Sequence, residues 1–295
     1  PIEISNPSVG LQAIAYRFAA PTPHTPEPVN FGIVHVGDTP QQPLSLSNTA
    51  PADGFSESLD AAIGNPTVSA TTNGGSFTGL APGATNSTSL VVGIDTSSAG
   101  AKSGTATITL TSNGAGSSGL GLTSLPSQTV NVQAQVNNFA VADFAKLAGD
   151  GTFTMTGANE FTLNLGTAIQ GQPALAAELG VINDVLAPAD DLAGSFTLNA
   201  PDFTLTGFDP FDADDHEAIT AGSIRSGLMV ELDTSMVGMF SGQITLNPRS
   251  INPSPFTMDL APITITLRGA IHPVPEPATL TLLIALLAFP TARRR

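Results

Sequence analysis

Leu90-Val91-Val92-Gly93-Ile94-Asp95-Thr96-Ser97 returns 138 residues later as Leu228-Met229-Val230-Glu231-Leu232-Asp233-Thr234-Ser235. Gly100 and Ser103-Gly104 follow the first stretch, and Gly238 and Ser241-Gly242 follow the second at the same offset. Each block then enters a second alternating run, over residues 105–110 or 243–246. Alternation with period two is the mark of a strand, because successive side chains point to opposite faces. The duplicated unit is therefore strand, glycine turn, strand.

Working outward, the duplication widens. Phe31-Gly32 and Gly37 match Leu165-Gly166 and Gly171, and residues 80–83 match 219–222. Loop insertions account for the small drift in offset. Residues 130–136, 196–199 and 263–267 alternate in the same way. Residues 173–187 permit a helix, yet they align with Pro43-Leu44-Ser45-Leu46-Ser47-Asn48, so strand plus loop is the better reading. Short strands parted by Gly, Pro and Asn predict an all-β chain of two tandem antiparallel β-sandwiches, over 25–137 and 138–272. Phe31, Leu44, Leu46, Leu90, Val92, Ile94, Ile108 and Leu110 are the expected core of the first. Leu165, Leu228, Val230, Leu232, Ile244 and Leu246 are that of the second. A shorter echo pairs Leu11-Gln12-Ala13 and Phe18-Ala19 with Val132-Gln133-Ala134 and Phe139-Ala140. It suggests that residues 1–24 end a preceding repeat or form a linker.

Composition narrows the function classes. Of 295 residues 41% are hydrophobic, enough for real cores, but only 11% are charged. The surface is then built from Ser, Thr, Asn, Gly and Gln, as in extracellular β-proteins. No cysteine is present, which removes disulfides, thiolate nucleophiles and Cys-type metal sites. A net charge of −15 without a basic patch repels phosphates, so no nucleic acid is expected as partner.

The last 22 residues carry the most specific signal. Val274-Pro275-Glu276-Pro277 comes first; two prolines around one acid forbid a regular helix there. An apolar run follows that begins at Ala278 and ends at Phe289, then Arg293, Arg294 and Arg295 close the chain. Twelve helical residues span roughly 18 Å, against a bilayer core of about 30 Å. A terminal cluster of arginines fixes orientation with the basic end in the cytoplasm. An extended motif, an undersized apolar helix and a basic stop together suit a segment that is held in a membrane, recognised and cut.

This tail resembles the PEP-CTERM sorting signal of Gram-negative bacteria. The resemblance implies an exosortase-type processing enzyme as partner, transient anchoring in the inner membrane, and delivery to the cell surface or extracellular matrix. Val29-Asn30-Phe31-Gly32, Leu44-Ser45-Leu46-Ser47-Asn48, Leu80-Ala81-Pro82-Gly83 and Ile94-Asp95-Thr96 resemble the choice-of-anchor D domains. These are immunoglobulin-like modules of the ASPM/Hydin type. The second copy follows that pattern loosely, with Leu165-Gly166 in place of Phe-Gly. The expected role is a non-catalytic exported surface or matrix protein, with exopolysaccharide as the matrix partner.

Asp209, Asp212, Asp214, Asp215 and Glu217 place five acids within nine residues, a composition able to hold Ca²⁺. The segment lacks the central Gly and distant bidentate Glu of an EF-hand loop, so a solvated loop is the simpler reading; a glycan- or Ca²⁺-binding adhesive module is the alternative function. Gly114-Ala115-Gly116-Ser117-Ser118-Gly119 has the spacing of a dinucleotide loop, but Leu120 to Pro126 form no helix to anchor a phosphate. His24, His35, His216 and His272 are scattered and no Gly-x-Ser-x-Gly elbow occurs, which makes a hydrolase the remote alternative. With no Trp and one Tyr, platforms for stacking sugar rings are missing. No cofactor is expected. Asp95-Thr96 and Asp233-Thr234 are expected to cap turns by bonding the backbone.

Overall fold

Alternating residues bury one face of each strand, and two such faces close over an apolar core. The computed structural model describes residues 12–212 and 217–275. Every regular element among them is a strand. The chain divides into two units, Pro1–Phe139 with Ala187–Ala189, and Ala140–Leu186 with Asp190–Arg295. The first carries β1 Val29–His35, β2 Gln41–Pro43, β3 Leu46–Ser47, β4 Ser58–Gly64, β5 Ala70–Thr72, β6 Ser76–Leu80, β7 Thr85–Asn86, β8 Val91–Ile94, β9 Gly100–Asn113 and β10 Leu122–Asn137. The second carries β11 Ala142–Gly149, β12 Thr152–Gly157, β13 Glu160–Ile169, β14 Leu175–Asn183, β15 Asp191–Asn199, β16 Thr204–Thr206, β17 Ile224–Leu232, β18 Gly238–Asn252, β19 Phe256–Asp259 and β20 Ile263–His272.

In the first unit one sheet runs β1-β10-β9-β4-β6, and the opposite layer is β2-β8-β5 with β3-β7. In the second, β12-β13-β20-β18-β15, with β19 beside β18, faces β11-β14-β17-β16. Both units therefore place strands G, F and C of an immunoglobulin-type sandwich (β10-β9-β4 and β20-β18-β15) against B and E. Leu44, Leu46, Leu90, Val92, Ile94, Ile108 and Leu110 are buried in the first core, with Phe31 packed half-buried at its margin. Leu165, Leu228, Val230, Leu232, Ile244 and Leu246 are buried in the second. Residues 175–183 form strand β14, ending in Asn183 as the alignment with Asn48 implied.

One expectation needs correction. The sandwiches are not wholly antiparallel: β1 pairs β10 and β13 pairs β20 in parallel. In the first unit the reason lies in the proline-rich entry. Residues 17–25 bridge Ser56, Asn48 and Ser45 on one layer. The chain then crosses at Pro26 and Pro28 and continues in the same direction beside β10. Prolines at 21, 23, 26 and 28 supply no amide hydrogen, so this entry makes isolated bridges rather than a continuous ladder. Residues 17–25 lie along the first sandwich, burying Ala19. The echoed residues make the same bond in each copy: the Ala19 amide donates to Ser112 Oγ, and the Ala140 amide donates to Ser250 Oγ. Phe18-Ala19 and Phe139-Ala140 each open a copy. The second copy also gains β12, which has no counterpart in the first.

Among the described residues no helix is long and apolar enough to cross a membrane. The apolar helix expected from Ala278 to Phe289 lies outside the described residues.

Candidate functional site

The tail begins where β20 ends. Ile271 is the last buried residue of that strand, and His272, Pro273, Val274 and Pro275 are exposed. With no amide hydrogen on Pro273 or Pro275, neither residue can extend the ladder. The segment from Pro273 to Pro275 thus leaves the second sandwich directly into solvent. Glu276, Pro277, the run from Ala278 to Phe289, and Arg293, Arg294 and Arg295 lie outside the described residues.

The acidic loop is held by apolar anchors, Phe208 and Phe211 before Asp212 and Ile219 after Glu217. Phe208 and Phe211 are buried against Phe196. Phe211 and Ile219 bridge Gly194 and Leu192 on β15. Between them Asp209 is exposed and Asp212 partly so. The Asp212 carbonyl accepts the amides of Glu217 and Ala218. Glu217 lies 3.4 Å from the Arg225 guanidinium, whose carbon sits 5.0 Å from the centre of the Phe211 ring. A guanidinium beside the loop competes with any metal ion for Glu217. Asp214 and Asp215 lie outside the described residues; among those described, no three acids or histidines converge on a metal position.

Sequence reasoning missed a buried polar network present in both copies. Asn48 is fully buried; its Oδ1 accepts the amides of Ala20 and Ala50, and its Nδ2 donates to the carbonyls of Glu57 and Leu80. Asn183, also fully buried, accepts the Val141 amide and donates to the carbonyls of Asp190 and Ile219. Beside each lies a buried acid. Glu57 accepts the hydroxyls of Ser112 and Ser118 at 2.6 Å each. Asp190 accepts from Ser250 Oγ and Asn252 Nδ2 at 3.0 Å. The signal was available: Ser112 and Ser250 share the 138-residue offset, and Asn48 and Asn183 end aligned strands. Asp190 therefore points into this network, and Asp191 beside it is pushed up by burial and by the charge on Asp190. Ser118 also explains the glycine-rich loop, which turns back on the Gly114 carbonyl and is fastened to Glu57.

The Asp-Thr pairs close turns. Asp95 accepts the amide and hydroxyl of Ser97, and Asp233 accepts those of Ser235. Those bonds hold both carboxyls below their ordinary value. Thr96 Oγ1 donates to the Asp38 carbonyl, and Thr234 Oγ1 to that of Gln172. The histidines are engaged separately. His24 sits between Gln128 Oε1 and Glu27 Oε2 at 2.9 and 2.8 Å, and His35 stacks on Phe139. Burial works to raise the Glu27 carboxyl, but bonds from Asn131 and His24 outweigh it and leave the group below its usual range.

No family model and no curated protein matches the sequence. Among solved structures the chain is similar to cadherin repeats 1–4 of Drosophila N-cadherin, with 12% identity, 86% of this chain and 49% of that one covered, and a TM-score of 0.35. It is similar to CfaE, the adhesive subunit of the CFA/I fimbria of enterotoxigenic Escherichia coli (8% identity, 84% and 98% covered, TM-score 0.29). It is also similar to the Vibrio cholerae VesB protease (14% identity, TM-score 0.27), covering 42% of this chain but less than a third of that one, 31%. An adhesin, a cadherin and a protease together assign no activity, because sandwiches host many.

Proposed function

We propose that the chain is a non-catalytic, exported surface or extracellular-matrix protein of a Gram-negative bacterium. Two immunoglobulin-like sandwiches, over 25–137 and 138–272, serve as spacer or adhesive modules. Residues 273–295 serve as an exosortase-type sorting signal. One observation carries the reading: a Pro-Glu-Pro motif, an apolar run of twelve residues and three terminal arginines follow in order on the last strand, through residues exposed to solvent. An apolar helix of about 18 Å stays inserted only with a thinned bilayer or a protein partner. An exosortase-type enzyme is that partner, and the exposed prolines give it access to Glu276. Exopolysaccharide or matrix is the destination.

The test is Glu276→Ala in the native host. The sorting reading expects the variant to accumulate unprocessed at the inner membrane. If parent and variant alike keep the tail intact, the tail is a plain anchor. Calorimetry with Ca²⁺ separates spacer from binding module: heat together with a raised melting temperature would move the assignment to the loop of Asp209, Asp212, Asp214, Asp215 and Glu217.

A further inference from the structure

The two copies offer an internal comparison at one end of each sandwich. In the first, Ala101 of β9 lies opposite Gln135 of β10; in the second, Met239 of β18 lies opposite Ala270 of β20. Alternation turns these residues to the outer face, away from the core. The turn before each F strand differs likewise: Ser98-Ala99 in the first copy, Met236-Val237 in the second. Met239 is 92% exposed and Met236 68%. Val237, Ile169 and Val274 are exposed beside them. One outer position runs the other way, Ile33 becoming Thr167. In the first copy the residue matching Ile169 is His35, buried under the ring of Phe139 at 4.2 Å. Val274 holds the matching place in the second copy and leaves Ile169 open. A groove of about 640 Å³ runs beside Met239, bordered by Thr167, Ser241, Arg268 and Ala270.

The same fold thus presents a polar or covered face in one copy and an open apolar one in the other. The apolar one lies where the tail departs. Six residue steps separate His272, the last residue of β20, from Ala278, so the apolar run starts within roughly 22 Å of the sandwich's end. We propose that this face, formed by Ile169, Met236, Val237, Met239 and Val274, docks on the surface of the lipid bilayer that receives the tail. The inference rests on the reading of the tail as a membrane segment. Apolar side chains around a basic residue, here Arg268, suit the boundary between headgroups and acyl chains. Docking would hold the second sandwich against the membrane and present Glu276 at a fixed depth.

The absence of cysteine makes the test clean. Met239→Cys and, separately, Ala101→Cys are labelled in the full chain with an environment-sensitive fluorophore. Each is mixed with vesicles of phosphatidylethanolamine and phosphatidylglycerol, with and without a lipid-borne quencher, and flotation is scored in parallel. The proposal expects a blue shift and lipid quenching at position 239, and neither at position 101, in chains that float. If the chain floats while the probe at 239 stays in water, docking is refuted and the sorting reading stands. If the chain fails to float, the membrane reading and the docking fall together. A probe at 239 that is shielded before vesicles are added means that the face is covered by protein, which also refutes the proposal.

Discussion

Removing one buried amide from each copy gives the sharpest test of how the sandwiches are held. Asn48→Ala deletes four hydrogen bonds of 3.0 to 3.3 Å, and Asn183→Ala deletes three of 3.0 Å. At about 1 kcal/mol net per bond, the losses are about 4 and about 3 kcal/mol. The carbonyls of Glu57, Asp190 and Ile219 lose a donor in buried surroundings. For units of this size such losses lower the melting temperature by roughly 10 °C. Calorimetry is expected to give one transition per unit, and hydrogen exchange to assign each transition to its peptides. Each variant should lower its own unit's transition and leave the other in place. Asn247→Ala, which removes one exposed bond to Thr197, is the control and should stay within about 0.5 kcal/mol of the parent. If Asn48→Ala and Asn183→Ala fall in the control's range, the duplicated network does not hold the copies together and the reasoning is wrong.

Two further outcomes follow from the geometry. Gly149 has φ +86, and a Cβ there would meet the Ala176 carbonyl at 2.2 Å, whereas Gly166, at φ +92, has open space; thermal melts should show Gly149→Ala costing well over the ~1–2 kcal/mol of backbone strain expected for Gly166→Ala. The carboxyls of Asp95, Asp233 and Glu27 lie below their ordinary 3.8 and 4.5, so they stabilise the fold fully above those values and lose that contribution as pH falls through the folded ones. Asp191, raised by burial, acts in the opposite sense and is relieved by the same acidification. Denaturation midpoints should therefore drop between about pH 5 and pH 3, and less steeply in an Asp95→Asn, Asp233→Asn double variant; an identical slope would refute the assignment.

Much of this arrangement is legible in the chain, for a physical reason. A strand buried on one face must alternate, so Leu90, Val92 and Ile94 or Leu228, Val230 and Leu232 reveal both their state and their direction of burial. Duplication then turns one local pattern into two and decides residues 175–183 against a helix. What stays hidden is pairing across long separations. Nothing local to Val29–His35 says that it lies parallel to a strand a hundred residues on. Prolines obscured the entry strand, because a segment that makes bridges without a ladder carries no alternation. Glu57 and Asp190 look like surface acids until Ser112 and Ser250 are seen against them. The apolar end of the second sandwich shows only when Met236 and Met239 are set beside Ser98 and Ala101. For the acidic loop, the presence of Arg225 eight residues beyond Glu217 gave no hint that the two would meet.

The measurement closest to the central claim is the mass of the protein recovered from the outside of its native host. The account predicts a mature chain that has lost Arg293, Arg294 and Arg295 together with the apolar run, its C-terminus lying near Pro275-Glu276-Pro277. An exported protein that still carries an intact peptide ending at Arg295 would contradict it and make the tail a permanent anchor.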